Sequence, residues 1–119
     1  MVLKSYFFKI EAKQLKYIKP HSNLINISLG NPMVQMEDNY TIHDLICRFR
    51  DDLWLSYHSC PAKLLNMKQL STINNLLLED YDTMDNDDQE YIDKTIEIID
   101  QLADTIDYED RIAYVWFRS

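Results

Sequence analysis

Glycine is nearly missing from this chain: Gly30 is the only one in 119 residues. One glycine cannot build the G-x-G-x-x-G or P-loop turns whose backbone cradles phosphate, so enzymes built on those two loops are excluded. The same scarcity removes Asn-Gly and Asp-Gly hairpins and leaves Gly30-Asn31-Pro32 as the one strong turn signal. Cysteine is limited to Cys47 and Cys60, too few for a disulfide scaffold. No apolar run approaches the ~20 residues of a membrane span. The opening residues, Met1 to Lys9, are interrupted by Lys4 and Lys9 and lack the apolar core of a signal peptide. These absences lead us to expect a cytoplasmic protein that contacts no membrane.

What is present is apolar side chain and negative charge. The hydrophobic fraction of 46% supports a core without staples, and the length suits one compact domain over residues 1–119. The net charge of -8 is unevenly spread. Residues 1–36 hold five lysines (Lys4, Lys9, Lys13, Lys16, Lys19) against Glu11, a balance of +4. Residues 79–110 hold fourteen acids against Lys94, a balance of -13. A surface of that sign repels nucleic acid and anionic lipid and attracts a basic protein.

The periodicities predict an α+β fold: a small antiparallel sheet of three to four strands with about three helices packed on it. Residues 5–12 alternate as a strand, with Tyr6, Phe8, Ile10 and Ala12 opposite Ser5, Lys9 and Glu11, and with Phe7 as the exception, although Lys9, Lys13 and Lys16 also fit a helical spacing. A second strand is expected from Leu24 to Leu29. Thr41 and Asp44 read as a capping-box variant opening a helix striped by Ile42, Leu45, Ile46, Phe49 and Leu53. That helix runs to Ser59, or stops near Asp52 before a short strand over 53–58. Pro61 suits the first turn of the next helix, whose apolar face is Leu65, Leu70, Ile73, Leu76 and Leu77. The clearest helix covers about residues 87–107, with Ile92, Ile96, Ile99, Leu102, Ala103 and Ile106 turned inward. Arg111 to Phe117 forms a closing strand.

On that last helix Asp93, Glu97, Asp100, Asp104 and Asp107 recur at intervals of four, three, four and three. At 100° per residue they share an arc of about 80° and extend along roughly 21 Å. Like charges so placed destabilise a helix by a few tenths of a kcal/mol per pair. They form either the solvated face of an acidic helix, a surface neutralised by the N-terminal lysines, or a docking ridge for a cationic partner. Glu90, Tyr91 and Tyr108 adjoin the ridge, and tyrosine is a frequent interface anchor.

No catalytic residue, metal or cofactor is expected. The acidic run from Glu79 to Glu90 lacks the glycine an EF-hand loop requires at its sixth position. His43, Cys47, His58 and Cys60 follow no zinc-ligand spacing and read as packing residues. The adjacent His58, Ser59 and Cys60 do not form the separated nucleophile and base of a catalytic site.

In size, acidity and lack of catalytic motifs the chain resembles bacterial immunity proteins, the antitoxins of colicins, contact-dependent inhibition systems and related polymorphic toxins. The resemblance is one of character and transfers no residue. It implies a non-enzymatic inhibitor that occludes the cationic cleft of a nuclease-type toxin. A phage-type anti-defence protein mimicking DNA, and a non-inhibitory adaptor subunit, are the other readings. The basic N-terminal third argues against mimicry over the whole surface.

Overall fold

A computed structural model describes residues 1–19, 23, 24, 27, 29–49 and 55–119. The described elements are β1 (Leu3–Ile10), α1 (Ala12–Leu15), β2 (Val34–Glu37), α2 (Tyr40–Cys47), β3 (Leu55–Tyr57), β4 (Cys60–Leu65), α3 (Met67–Leu77), α4 (Asn86–Asp104) and β5 (Arg111–Arg118). The strands form one antiparallel sheet in the order β2-β1-β5-β4-β3. The expected α+β class holds, with one strand more than the upper expectation. β1 and β5 pair along their whole length at the centre, from Leu3 opposite Arg118 to Ile10 opposite Arg111.

The extra strand is β4, which sequence reading placed in helix, whereas β3 falls within the alternative strand over 53–58. Pro61 lies in β4 opposite Ser56, and does not open a helix. Pairing of β4 with β5 starts one residue later, at Ala62, so the missing N–H of Pro61 interrupts no ladder bond on that side. The two-residue turn between β3 and β4 is His58-Ser59, with φ of 49° and 67°. Both central residues of a type I′ turn need positive φ, which normally selects Asn-Gly. A tight hairpin therefore exists without the glycine thought necessary for it. The following helix begins at Asn66, whose side chain accepts from the Gln69 N–H while Gln69 returns a bond to the Asn66 N–H.

Two other expectations shift. The strand foreseen over 24–29 is not formed by its described residues: Leu24 is buried in a 3-10 turn and Leu29 in loop, and the remainder of that span, apart from Ile27, lies outside the described residues. The strand that pairs with β1 is β2, after Gly30 has turned the chain at φ 68°. The first long helix is capped two residues early, by Asn39, whose Oδ1 accepts from the Ile42 N–H. It ends at Cys47, and residues 55–57 are strand. Leu53 and Trp54 lie outside the described residues.

The sheet has apolar layers on both sides. Phe7, Ile112, Tyr114, Leu65 and Met36 meet α2, α3 and α4. Phe8, Ile10, Leu55, Ala62, Ala113 and Val115 meet Leu15, Ile18, Leu24, Ile27 and Leu29. Phe7 broke the sequence alternation because both faces of β1 are covered.

Candidate functional site

The acidic helix α4 runs from Asn86 to Asp104, with Asp85 capping it by accepting from the Asp88 N–H at 2.8 Å. Asp87 and Asp88 occupy its first turn, where the helix dipole favours anions. Its buried residues are Ile92, Thr95, Ile99 and Leu102, with Ile106 just beyond its end. Ile96 and Ala103 are only half-buried, and Thr95, which the apolar pattern passed over, takes a core position. The Thr95 hydroxyl is satisfied by donating to the Tyr91 carbonyl at 2.9 Å, which is why a polar residue is tolerated there.

Asp93, Glu97, Asp100, Asp104 and Asp107 are all exposed. The ridge meets two neutral donors. Tyr81 Oη donates to Asp93 at 2.9 Å, which raises the Tyr81 pKa, and Asn74 Nδ2 donates to Asp100 at 2.8 Å. The Asn74 Oδ1 beside that bond is buried without a partner. Among the described residues the ion pairs are Lys94 with Glu90 and Lys13 with Glu11, both at 3.2 Å. None joins an N-terminal lysine to the ridge. Arg111 donates to the carbonyls of Tyr108 and Asp110.

The two tyrosines divide. Tyr108 stands in the turn after α4, 82% exposed. Tyr91 points away from the ridge toward the start of α2, where its hydroxyl donates to Asn39 Oδ1 at 3.0 Å. On the helical wheel it lies about 160° from the ridge's centre, so it does not belong to that face. Asp110 is not surface charge either. It is buried, accepts from the N–H groups of Asp107 and Ala12, and is held below the usual carboxylate range first by the Asp107 bond.

A second constellation lies beneath α2. Ser5 Oγ and Tyr114 Oη are 3.0 Å apart, and Tyr114 Oη is 2.8 Å from His43 Nδ1. Cys47 Sγ is 3.6 Å from His43 Nε2. His43 lies edge-on to Trp116. Desolvation lowers the His43 pKa, opposed by the Asp44 carboxylate and reinforced by Arg118. Burial likewise raises the Cys47 and Tyr114 pKa values. Ser5, His43 and Tyr114 form a hydrogen-bonded polar inclusion in the core, and Cys47, exposed at the C-terminal end of α2, borders it. His58 and Cys60 lie apart from it, on the hairpin.

Sequence reasoning missed a third feature. On the side of the sheet away from α4, a cleft of about 480 Å³ is lined by Tyr6, Phe8, Tyr57, Val115 and Phe117, with Gln35, His58 and Cys60 among its polar groups. The signal was present in β1, where Tyr6 and Phe8 share a face, but the partners that complete the cleft come from β2, β5 and the hairpin. Among the described residues, no group of three or more His, Cys, Asp or Glu is placed to hold a metal ion, and no helix is long and apolar enough to cross a membrane. Comparisons with protein-family models, with curated proteins and with solved structures returned no match.

Proposed function

We propose that this chain is a binding protein that neutralises a basic protein partner through the exposed face of α4, acting in the cytoplasm as an immunity protein for a nuclease-type toxin. The observation that carries the reading is the row of exposed carboxylates, four on α4 and Asp107 just beyond its end, with no ion pair to a lysine of the N-terminal segment among the described residues. A nuclease cleft is cationic because it binds phosphates, and an anionic ridge speeds encounter with it and occludes it. Tyr108, exposed at the ridge's end, adds an anchor of the kind that dominates interface energies. Mimicry of DNA over the whole surface is less well supported, because Lys4, Lys9, Lys13 and Lys16 lie off the acidic helix.

The test is capture of a partner from the native cell by the intact chain, and by a variant carrying Asp93→Asn, Glu97→Gln and Asp100→Asn. The intact chain is expected to retain a basic protein whose association slows as salt rises. Equal retention of that protein by the variant, or an on-rate indifferent to salt, would sink the proposal.

A further inference from the structure

We propose that the cleft on the opposite side of the sheet binds a neutral planar nitrogen heterocycle of nucleobase size, with Tyr6 and Phe117 as its stacking faces and Gln35 at its edge. The inference goes beyond the partner-binding reading and uses none of its residues. Tyr6 and Phe117 have ring centroids 5.9 Å apart and planes within 15° of each other, so the two rings stack and together form one aromatic wall of the cleft. Phe8 and Tyr57, 5.4 Å apart, wall the cleft beyond them. The His58-Ser59 turn brings the His58 ring, edge-on to Tyr57 at 4.4 Å, to the same cleft. The volume of about 480 Å³ falls within the range of small-molecule sites.

The polarity of the lining narrows the ligand. No Lys, Arg, Asp or Glu is among the described lining residues, and these offer a charged group no partner to replace its lost hydration. Lys4 occupies a neighbouring hollow, where Glu37 is its cross-strand partner and offsets its charge. Gln35 is exposed on the short edge strand β2 and makes no hydrogen bond within the described residues. A carboxamide offers a donor and an acceptor side by side, which matches the N6 and N7 edge of adenine. Aromatic faces stack any base, so selection falls to that edge.

The experiment is a titration of the ¹⁵N-labelled full chain with adenosine, adenosine monophosphate and indole, followed by amide shifts. Adenosine is expected to give saturable shifts centred on Tyr6, Gln35, Tyr57, His58 and Phe117. Gln35→Ala, a change on an exposed edge position, is expected to weaken adenosine about tenfold, as loss of a bidentate contact does. The monophosphate is expected to bind no tighter than the nucleoside, and indole, which lacks the matching edge, more weakly. Absence of saturation at millimolar adenosine overturns the proposal. So does indole matching adenosine, the monophosphate binding tighter, or full adenosine affinity in Gln35→Ala. The Phe117→Leu variant, if it folds, is expected to lose binding of both nucleoside and indole; retained binding there removes the stacking platform from the argument.

Discussion

Under α2, α3 and α4 the sheet presents Phe7, Leu65, Ile112 and Tyr114, each wholly excluded from solvent. On its other side Tyr6, Tyr57 and Phe117 remain only half-buried around an open cleft. The two sides draw on strands of similar composition, so the strands themselves do not make the difference. What differs is the cover. Three helices of eight residues or more lie on the first side, whereas the described cover of the second is Leu15 of the four-residue α1 with Ile18, Leu24, Ile27 and Leu29 after it. A longer helix carries a broad apolar stripe and can seal a sheet. A short one leaves aromatic edges in water. The sealed side also carries the acidic ridge on its outer surface, while on the open side the described residues lining the cleft carry no Lys, Arg, Asp or Glu.

The comparison breaks most readily through packing. Ile99→Ala, beneath α4, is expected to cost about 3 kcal/mol, because a closed site leaves a cavity. Tyr6→Ala, at the cleft, is expected to cost about 1 kcal/mol, since less apolar area is lost from burial. Denaturant titration measures both. Equal losses would mean that the two sides are equally well packed.

The next effect sharpens the comparison through polar groups. Tyr114→Phe keeps the ring but leaves Ser5 Oγ and His43 Nδ1 without their shared partner, at an expected cost of about 1–3 kcal/mol. Tyr57→Phe on the open side is expected to stay within about 0.5 kcal/mol of wild type. The same inclusion sets a pH dependence. His43 is held below its ordinary value of 6.5 chiefly by desolvation, so below that pH the unfolded chain binds the proton more readily than the folded one. Stability is therefore complete above about pH 6.5 and declines as pH falls toward the folded His43 value. His43→Gln is expected to flatten that decline. Asp110, whose pKa is lowered, adds a separate loss that begins below its ordinary value of 3.8 and continues as pH falls through the folded value. An unchanged stability profile between pH 7 and 5 would argue against a desolvated neutral His43.

Legibility from sequence followed how local the determinant was. α4 was readable because its apolar spacing, acidic first turn and length lie within one segment, and β5 because its run of apolar residues is long. β3 was legible only as one of two alternatives and β4 not at all, since the turn between them uses His58 and Ser59 at positive φ, an arrangement that tertiary pairing enforces against local preference. Pro61 read as a helix start for the same reason. The ridge itself was visible as a spacing of carboxylates, yet nothing in that spacing said that Tyr91 would turn to Asn39, or that Asp110 would leave the surface to accept backbone bonds. The cleft was invisible because it is assembled from all five strands at long range.

The smallest effect tests whether the ridge is constrained by something other than folding. Glu97 and Asp104 lie on it without an ion pair among the described residues, and each sits within one turn of another carboxylate. Glu97→Gln with Asp104→Asn removes repulsion and no internal bond, so the double variant is expected to be more stable by a few tenths of a kcal/mol. The gain should shrink as salt rises, because these are exposed charges that a Debye length of about 3 Å at 1 M screens almost fully. A gain in stability joined to a loss of partner retention would mean that the carboxylates oppose folding and serve binding. A loss of stability that persists in salt would mean that they hold the helix in place, and the contrast between a ridge kept for a partner and a cleft kept for a ligand would fail on its charged side.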